Sequence, residues 1–325
     1  MSYTHYVGVF LVSTISLWLM LRSSVIVVAD IPNQRSLHQK VTPRAGGIAI
    51  VLGVLFGVLA AVSMDALSDR SVIVLSGLFI TLSALGYLDD RRSLSIRIRL
   101  VVQIVVAVIC WRWVIAMPET GWLWFVPGVL VLIWGINLTN FMDGMDGLVA
   151  SQAILGLACL SVWVSNSGHS ELPIVCLVVA VATAGFLVFN WPAARVFMGD
   201  AGSLALGLMM AAVSLYGITR YDIPVTACLI LFAPFLADSG ITLLRRMISG
   251  EKWWEAHRSH FYQRAVGAGW SQLEVLKRYL LLQLVMIGLA TRVFINPEGA
   301  WWPLTITIVI LTLVAWRIHG REQTN

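Results

Sequence analysis

Carboxylates in this sequence gather beside glycines. Leu88-Asp89-Asp90 is one such place, and Gly199-Asp200-Ala201-Gly202-Ser203 is another. Between them Asn137, Asn140, Asp143 and Asp146 recur at intervals of three, with Gly144 and Gly147 among them. A further stretch, Asp30-Ile31-Pro32-Asn33, runs into Arg35, Ser36 and His38. Adjacent carboxylates repel one another, and a bound divalent cation relieves that repulsion. Acids set with Arg and His therefore suit a hard cation and a phosphorylated substrate.

Each stretch also has a plainer account. Asp89 and Asp90 can be a helix end wetted by interfacial water. Asp200 and Ser203 can cap a helix, and Gly144 and Gly147 can mark an ordinary turn. If the segment is helical, however, Asn137, Asn140, Asp143 and Asp146 share one face. Phe197 is either core or a face for a stacked base. His257, Arg258 and His260 form a compact cationic set suited to phosphate or sugar hydroxyls. Arg35, Lys40 and Arg44 form a second set, which membrane topology explains nearly as well. Asp238 stands alone inside an apolar run, with no role assigned.

The elements that must position these groups are membrane helices. The chain has 325 residues, 58% hydrophobic and only 12% charged, with a mean hydropathy of +0.84. A soluble domain carries about a quarter charged residues. The expected class is all-α: a polytopic helix bundle of about eleven spans. They fall near Tyr6–Val28, Gly46–Met64, Ser71–Leu88, Ile98–Met117, Trp122–Ile136, Leu148–Ser165, Leu172–Phe189, Ser203–Thr219, Pro224–Leu244, Leu273–Ile295 and Trp301–Ile318. No repeat or soluble domain is evident, so residues 1–325 read as a single domain. Its active loops are expected near 29–45, 89–97, 137–147, 190–202 and 247–272.

Lys and Arg concentrate in alternate loops, including Arg44, Arg91, Arg97, Arg195, Arg245, Arg258 and Lys277. The positive-inside rule makes that side cytoplasmic, with the N-terminus periplasmic and the C-terminus cytoplasmic. The net charge of +5 is then a topology signal and calls for no nucleic acid. Cys110, Cys159, Cys176 and Cys228 lie in apolar runs without metal-ligand spacing and read as core hydrophobes.

Taken in order, DIPNQRSLHQKVTPRAGG, LDD, NLTNFMDGMDGL, FNWPAARVFMGDAGS and the AHRSH loop resemble the polyprenyl-phosphate N-acetylhexosamine-1-phosphate transferase family. The resemblance implies a Mg²⁺-dependent transfer, with Mn²⁺ as a substitute. A sugar 1-phosphate moves from a UDP-N-acetylhexosamine to undecaprenyl phosphate, and UMP is released. Carried over by motif position, Asp200 and Asp90 serve the metal, and Asp89, Asp90, Asp143 and Asp146 are catalytic. Whether Asp89 acts as base, lipid-phosphate orienter or metal ligand stays open. Asn140, Asn190, Phe197, Arg97, His257, Arg258, His260, Arg35, Lys40 and Arg44 contact substrate. The location is the bacterial inner membrane, with the site on its cytoplasmic face, and a homodimer is compatible with the family.

The last loop lacks the adjacent histidine pair of the GlcNAc and MurNAc-pentapeptide enzymes. In that respect it looks closer to relatives that start O-antigen or other surface polysaccharides with a 6-deoxy-N-acetylhexosamine. Competing classes are a transporter or flippase of lipid-linked sugars, a CDP-alcohol phosphotransferase and a non-catalytic scaffold. A transporter predicts charges at mid-membrane and broken helices in repeated halves.

Overall fold

The computed structural model describes residues 2–23, 28–32, 37, 40–44, 46–115, 122–166, 171–252 and 257–323. Helices account for nearly all of the regular structure: α1 (Tyr3–Ser23), α2 (Gly46–Ser63), α3 (Arg70–Arg92), α4 (Ile96–Cys110), α5 (Phe125–Met142), α6 (Leu148–Ser165), α7 (Glu171–Asn190), α8 (Asp200–Tyr221), α9 (Val225–Leu231), α10 (Ala233–Ile248), α11 (Phe261–Gly267), α12 (Gln272–Ile295) and α13 (Trp301–Glu322). Among the described residues ten helical segments are long and apolar enough to cross a membrane, and a bent pair, taken as one span, makes an eleventh. The chain is a multi-pass membrane protein.

Apolar periodicity locates the spans well. Both bounds of Leu148–Ser165 agree with α6, and the expected start at Gly46 is that of α2. Three expectations need correcting. The first helix, expected to run to Val28, is Tyr3–Ser23, and Val28 instead opens a short strand in a chain that is otherwise nearly all helical. Strand β1 (Val28–Asp30) pairs antiparallel with β2 (Thr42–Arg44). Pro43 has no N–H to give, but its carbonyl accepts from Phe197 N at 2.8 Å. The fourth expected span passes from α-helix into a π-helical turn at Trp111–Ile115.

The third correction concerns the expected helix Pro224–Leu244. It is two helices, α9 and α10, bent by 79° at Phe232. Pro234 sits in the first turn of α10. Its ring would clash with a carbonyl one turn earlier and it cannot donate, so α9 cannot continue through it. The break strands α9 carbonyls inside the bundle, and Gln283 of α12 donates to Leu231 O at 3.0 Å. Such repair by a neighbouring helix is what lets a span break in lipid.

Helix α8 is the axis of the bundle, with most of its residues buried, as are those of α6 and α7. In lipid, apolar surface alone gives helices no reason to associate, so close backbone packing must. A Cβ on Gly207 of α8 would lie 2.6 Å from Gly135 O of α5, and one on Gly47 of α2 would lie 2.3 Å from Gly202 N. Helices α2, α3 and α5 thus meet the start of α8 at near-backbone distance, and this is the end that carries the acids.

Candidate active site

The turn from α3 to α4 is built around Asp89. One of its oxygens accepts from Leu94 N at 2.7 Å, while Ser95 caps α4. The other oxygen pairs with Arg99 Nη1 at 2.8 Å, and the same guanidinium lies 3.9 Å from Asp200 Oδ2. The expected phosphate contact, Arg97, is exposed instead. Two residues along a helix are about 200° apart, so α4 turns Arg99 inward and Arg97 out. The resemblance points to Arg97, and Arg99 is missed because its pairing with Asp89 across the α3–α4 turn leaves no mark in the sequence.

Asp90 is rotated about 100° from Asp89 and faces α8. Its carboxylate meets the amides of Asp200 and Ala201 and pairs with Arg44 Nη1 at 3.1 Å. Arg44 also holds Asp30 at 3.0 Å, so one cation ties the strand pair to α3. Gly199 precedes α8 with φ +71°, and a Cβ there would lie 2.5 Å from Asp90 Oδ2. Both the backbone conformation and the approaching carboxylate therefore require glycine. Asp200 accepts from Asn140 Nδ2 at 2.8 Å, and Asn140 also reaches Ser203 Oγ at 3.0 Å.

The segment after α5 is a turn, so the shared helical face ends at Asn140. Asn137 pairs with Gln103 of α4 at 2.8 Å. Asp143 is recessed, and burial pushes its carboxyl well above the usual range, helped by Asp200, Asp90 and Asp146 against the lowering effect of Arg44. Asp146 turns the other way and accepts from Ala194 N at 2.9 Å. Asn190 accepts from Gly147 N at 2.9 Å and donates to Val196 O at 2.9 Å. Asp146 and Asn190 thus bind the two acidic turns to each other. Phe197 is half-buried and fixed through its backbone to Pro43 and Gly46.

The expected cationic set at residues 257–260 is divided. Arg258 is exposed, whereas His260 is buried and hydrogen-bonded through Nδ1 to Asp238 at 3.1 Å. Burial, then His260, Arg246 and Arg245, pushes His257 down to about 4, so it is neutral at pH 7. His260 stacks on Phe141 at 6.5 Å, which brings this loop against the Asp143 turn. Lys40 is exposed, and Arg35 lies outside the described residues.

Among the described residues, no three His, Cys, Asp or Glu side chains converge at ligand distance. Asp90 and Asp200 supply oxygen donors in the number Mg²⁺ takes from proteins, which is one or two carboxylates beside substrate phosphates and water. The donor set fits that ion. Asp89, Asp90 and Asp200 lie at helix ends, and among the described residues the bent pair has no second counterpart, so nothing in them supports the transporter reading.

A sequence profile described as glycosyl transferase family 4 matches residues 71–218. A probable undecaprenyl-phosphate N-acetylglucosaminyl 1-phosphate transferase of Bacillus subtilis (strain 168) is 31% identical over 298 residues, covering 87% of this chain and 81% of the relative. The chain belongs to glycosyl transferase family 4. A phospho-N-acetylmuramoyl-pentapeptide-transferase of Bacillus pumilus is 30% identical over 290 residues, 79% of this chain and 86% of its own. An undecaprenyl-phosphate alpha-N-acetylglucosaminyl 1-phosphate transferase of Salmonella typhi is 29% identical over 339 residues, with 97% and 89% covered. The profile match of this family 4 chain contains Asp89, Asp90, Asp143, Asp146 and Asp200, and leaves Asp238 and His257–His260 outside it.

Proposed function

We propose that this protein transfers an N-acetylhexosamine 1-phosphate from a UDP-sugar to polyprenyl phosphate, releasing UMP, at the cytoplasmic face of a bacterial plasma membrane. The observation that supports this best is the junction of Asp89, Asp90 and Asp200 with Arg44 and Arg99 at one end of the bundle. Below that junction an apolar groove of about 900 Å³ runs between α5, α8 and the α9–α10 pair, lined by Trp134, Leu138, Gly207, Met210, Phe232 and Phe235. Its inner end reaches Thr139, next to the Asn140 that holds Asp200. A polyprenyl tail in the groove would deliver its phosphate to the acids.

The chemical obstacle is charge, because an anionic phosphate attacks an anionic pyrophosphate. Catalysis is then alignment and neutralisation. Arg99 and Arg44 are the fixed cations at that point. Both oxygens of Asp89 are already engaged, so this reading gives Asp89 the task of aiming Arg99. No strong base is needed, since a phosphate monoester with pKa near 6 is largely dianionic at neutral pH. Asp90 and Asp200 would hold Mg²⁺, which when bound neutralises charge on the pyrophosphate. Arg258 and neutral His257 face the donor's sugar and phosphates, and Phe197 offers its half-exposed ring to the base.

The test incubates purified protein with undecaprenyl phosphate, Mg²⁺ and a panel of UDP-N-acetylhexosamines that includes 6-deoxy sugars, and follows UMP. Release with at least one donor is expected, and release from none would end the proposal. In the same assay Arg99→Ala should lower turnover about 100-fold, while Arg97→Ala should leave it within about threefold. Equal losses in both variants would remove Arg99 from its place beside Asp89.

A further inference from the structure

Asp238 lies on α10 with 2% of its surface exposed. A lone carboxylate among membrane helices is costly and normally has partners, and this one has four. One oxygen takes His260 Nδ1 at 3.1 Å and Phe261 N at 2.8 Å. The other takes Tyr262 N at 3.0 Å and the Tyr279 hydroxyl at 2.5 Å. Two of those donors are the first amides of α11, so the carboxylate stands where a helix start wants negative charge. With Asp238 as the acceptor in these bonds, His260 donates through Nδ1.

The contacts continue from α11 to the acids. The Tyr262 hydroxyl donates to Phe141 O at 3.3 Å, and a Cβ on Gly144 would lie 2.2 Å from that hydroxyl oxygen. Ser259, one residue before His260, bonds His257 Nδ1 through its hydroxyl at 3.0 Å, and its carbonyl accepts from Arg245 at 3.0 Å. One carboxylate therefore sets the loop that bears His257 and Arg258 and, through Tyr262, the backbone beside Asp143.

We propose that Asp238 is a positioning residue for the donor: it holds residues 257–262 against the Phe141–Gly144 turn, so that nucleotide-sugar binding depends on it and lipid binding does not. This rests on the transferase reading above, and two readouts separate the failures. The full-length protein is assayed as Asp238→Asn, varying UDP-sugar and undecaprenyl phosphate in turn. The donor KM should rise about tenfold, while the lipid KM stays within about twofold. Asp238→Glu should recover part of the loss. An unchanged donor KM, or equal rises in both, overturns the proposal.

Trypsin cleavage after the exposed Arg258, followed without substrate in detergent, should be faster in Asp238→Asn than in the parent protein. Unchanged cleavage overturns the proposal even if no donor is ever turned over. If the parent releases no UMP, the transferase reading fails while this comparison still decides for Asp238. Should Asp238→Asn not fold, Tyr279→Phe keeps the charge and removes one donor. It should give a smaller rise in donor KM and faster cleavage, and the absence of both overturns the proposal.

Discussion

Asp200→Ala is expected to reduce UMP release by at least about 10³-fold in a protein that still folds. Asp200 is the residue at which the groups of α3, α4 and α5 meet. Asn140 donates to one oxygen at 2.8 Å, Arg99 stands 3.9 Å from the other, and the amide of Asp200 itself meets Asp90. Removing the carboxyl orphans none of these partners. Asn140 keeps Ser203 at 3.0 Å, and Arg99 keeps Asp89 at 2.8 Å. Stability in detergent should thus change by no more than about 1 kcal/mol. Near-normal turnover in a well-folded variant would take Asp200 out of the chemistry.

Gly86→Val should be nearly as damaging, by way of backbone position alone. A Cβ at Gly86 would lie 2.2 Å from both the carbonyl carbon and the oxygen of Asp200. Neither atom can swing aside as a side chain could, so α3 must move away from α8. Asp89 and Asp90 follow one turn later and would move with it. A misplacement of about 1 Å can cost about 100-fold in rate, and overpacking costs about 1–3 kcal/mol. Gly77 lies in the same helix with nothing within 4 Å of its Cβ position, so Gly77→Ala is the control and should be neutral or slightly stabilising. Comparable turnover in Gly86→Val and Gly77→Ala would show that the approach of α3 to α8 does not set the acids.

The sequence displays its helices because lipid demands long apolar runs, and that demand is local. Ends of spans such as Leu148–Ser165 are legible for this reason. The bend at Phe232 is not, since Cys228 to Phe235 reads as unbroken apolar chain and only Pro234 marks it. Acids beside glycines are legible too, and Asp89, Asp90 and Asp200 do meet. Their partners are harder to find. Arg44 reaches Asp90 across 46 positions, and Asp238 reaches His260 across 22, distances over which no spacing rule applies. His260 looked like a substrate ligand because burial cannot be read from a short polar loop. Gly86 carried a faint sign, standing one turn before Asp89 in Leu85-Gly86-Tyr87-Leu88-Asp89.

The sharp break between α9 and α10 has a consequence for which changes in chain length this fold can accept. Since α10 restarts at Ala233 with Pro234 in its first turn, the few residues from Pro234 to Asp238 alone determine which way that carboxylate looks. One inserted residue in this stretch would swing Asp238 by about 100°, away from the amides of α11 and toward lipid or core. The same insertion in the outer turns of α13, where few side chains are buried, would displace little. The short run Pro234-Phe235-Leu236-Ala237 therefore works as a gauge of fixed length, and its residue count matters more than the identity of most of its side chains.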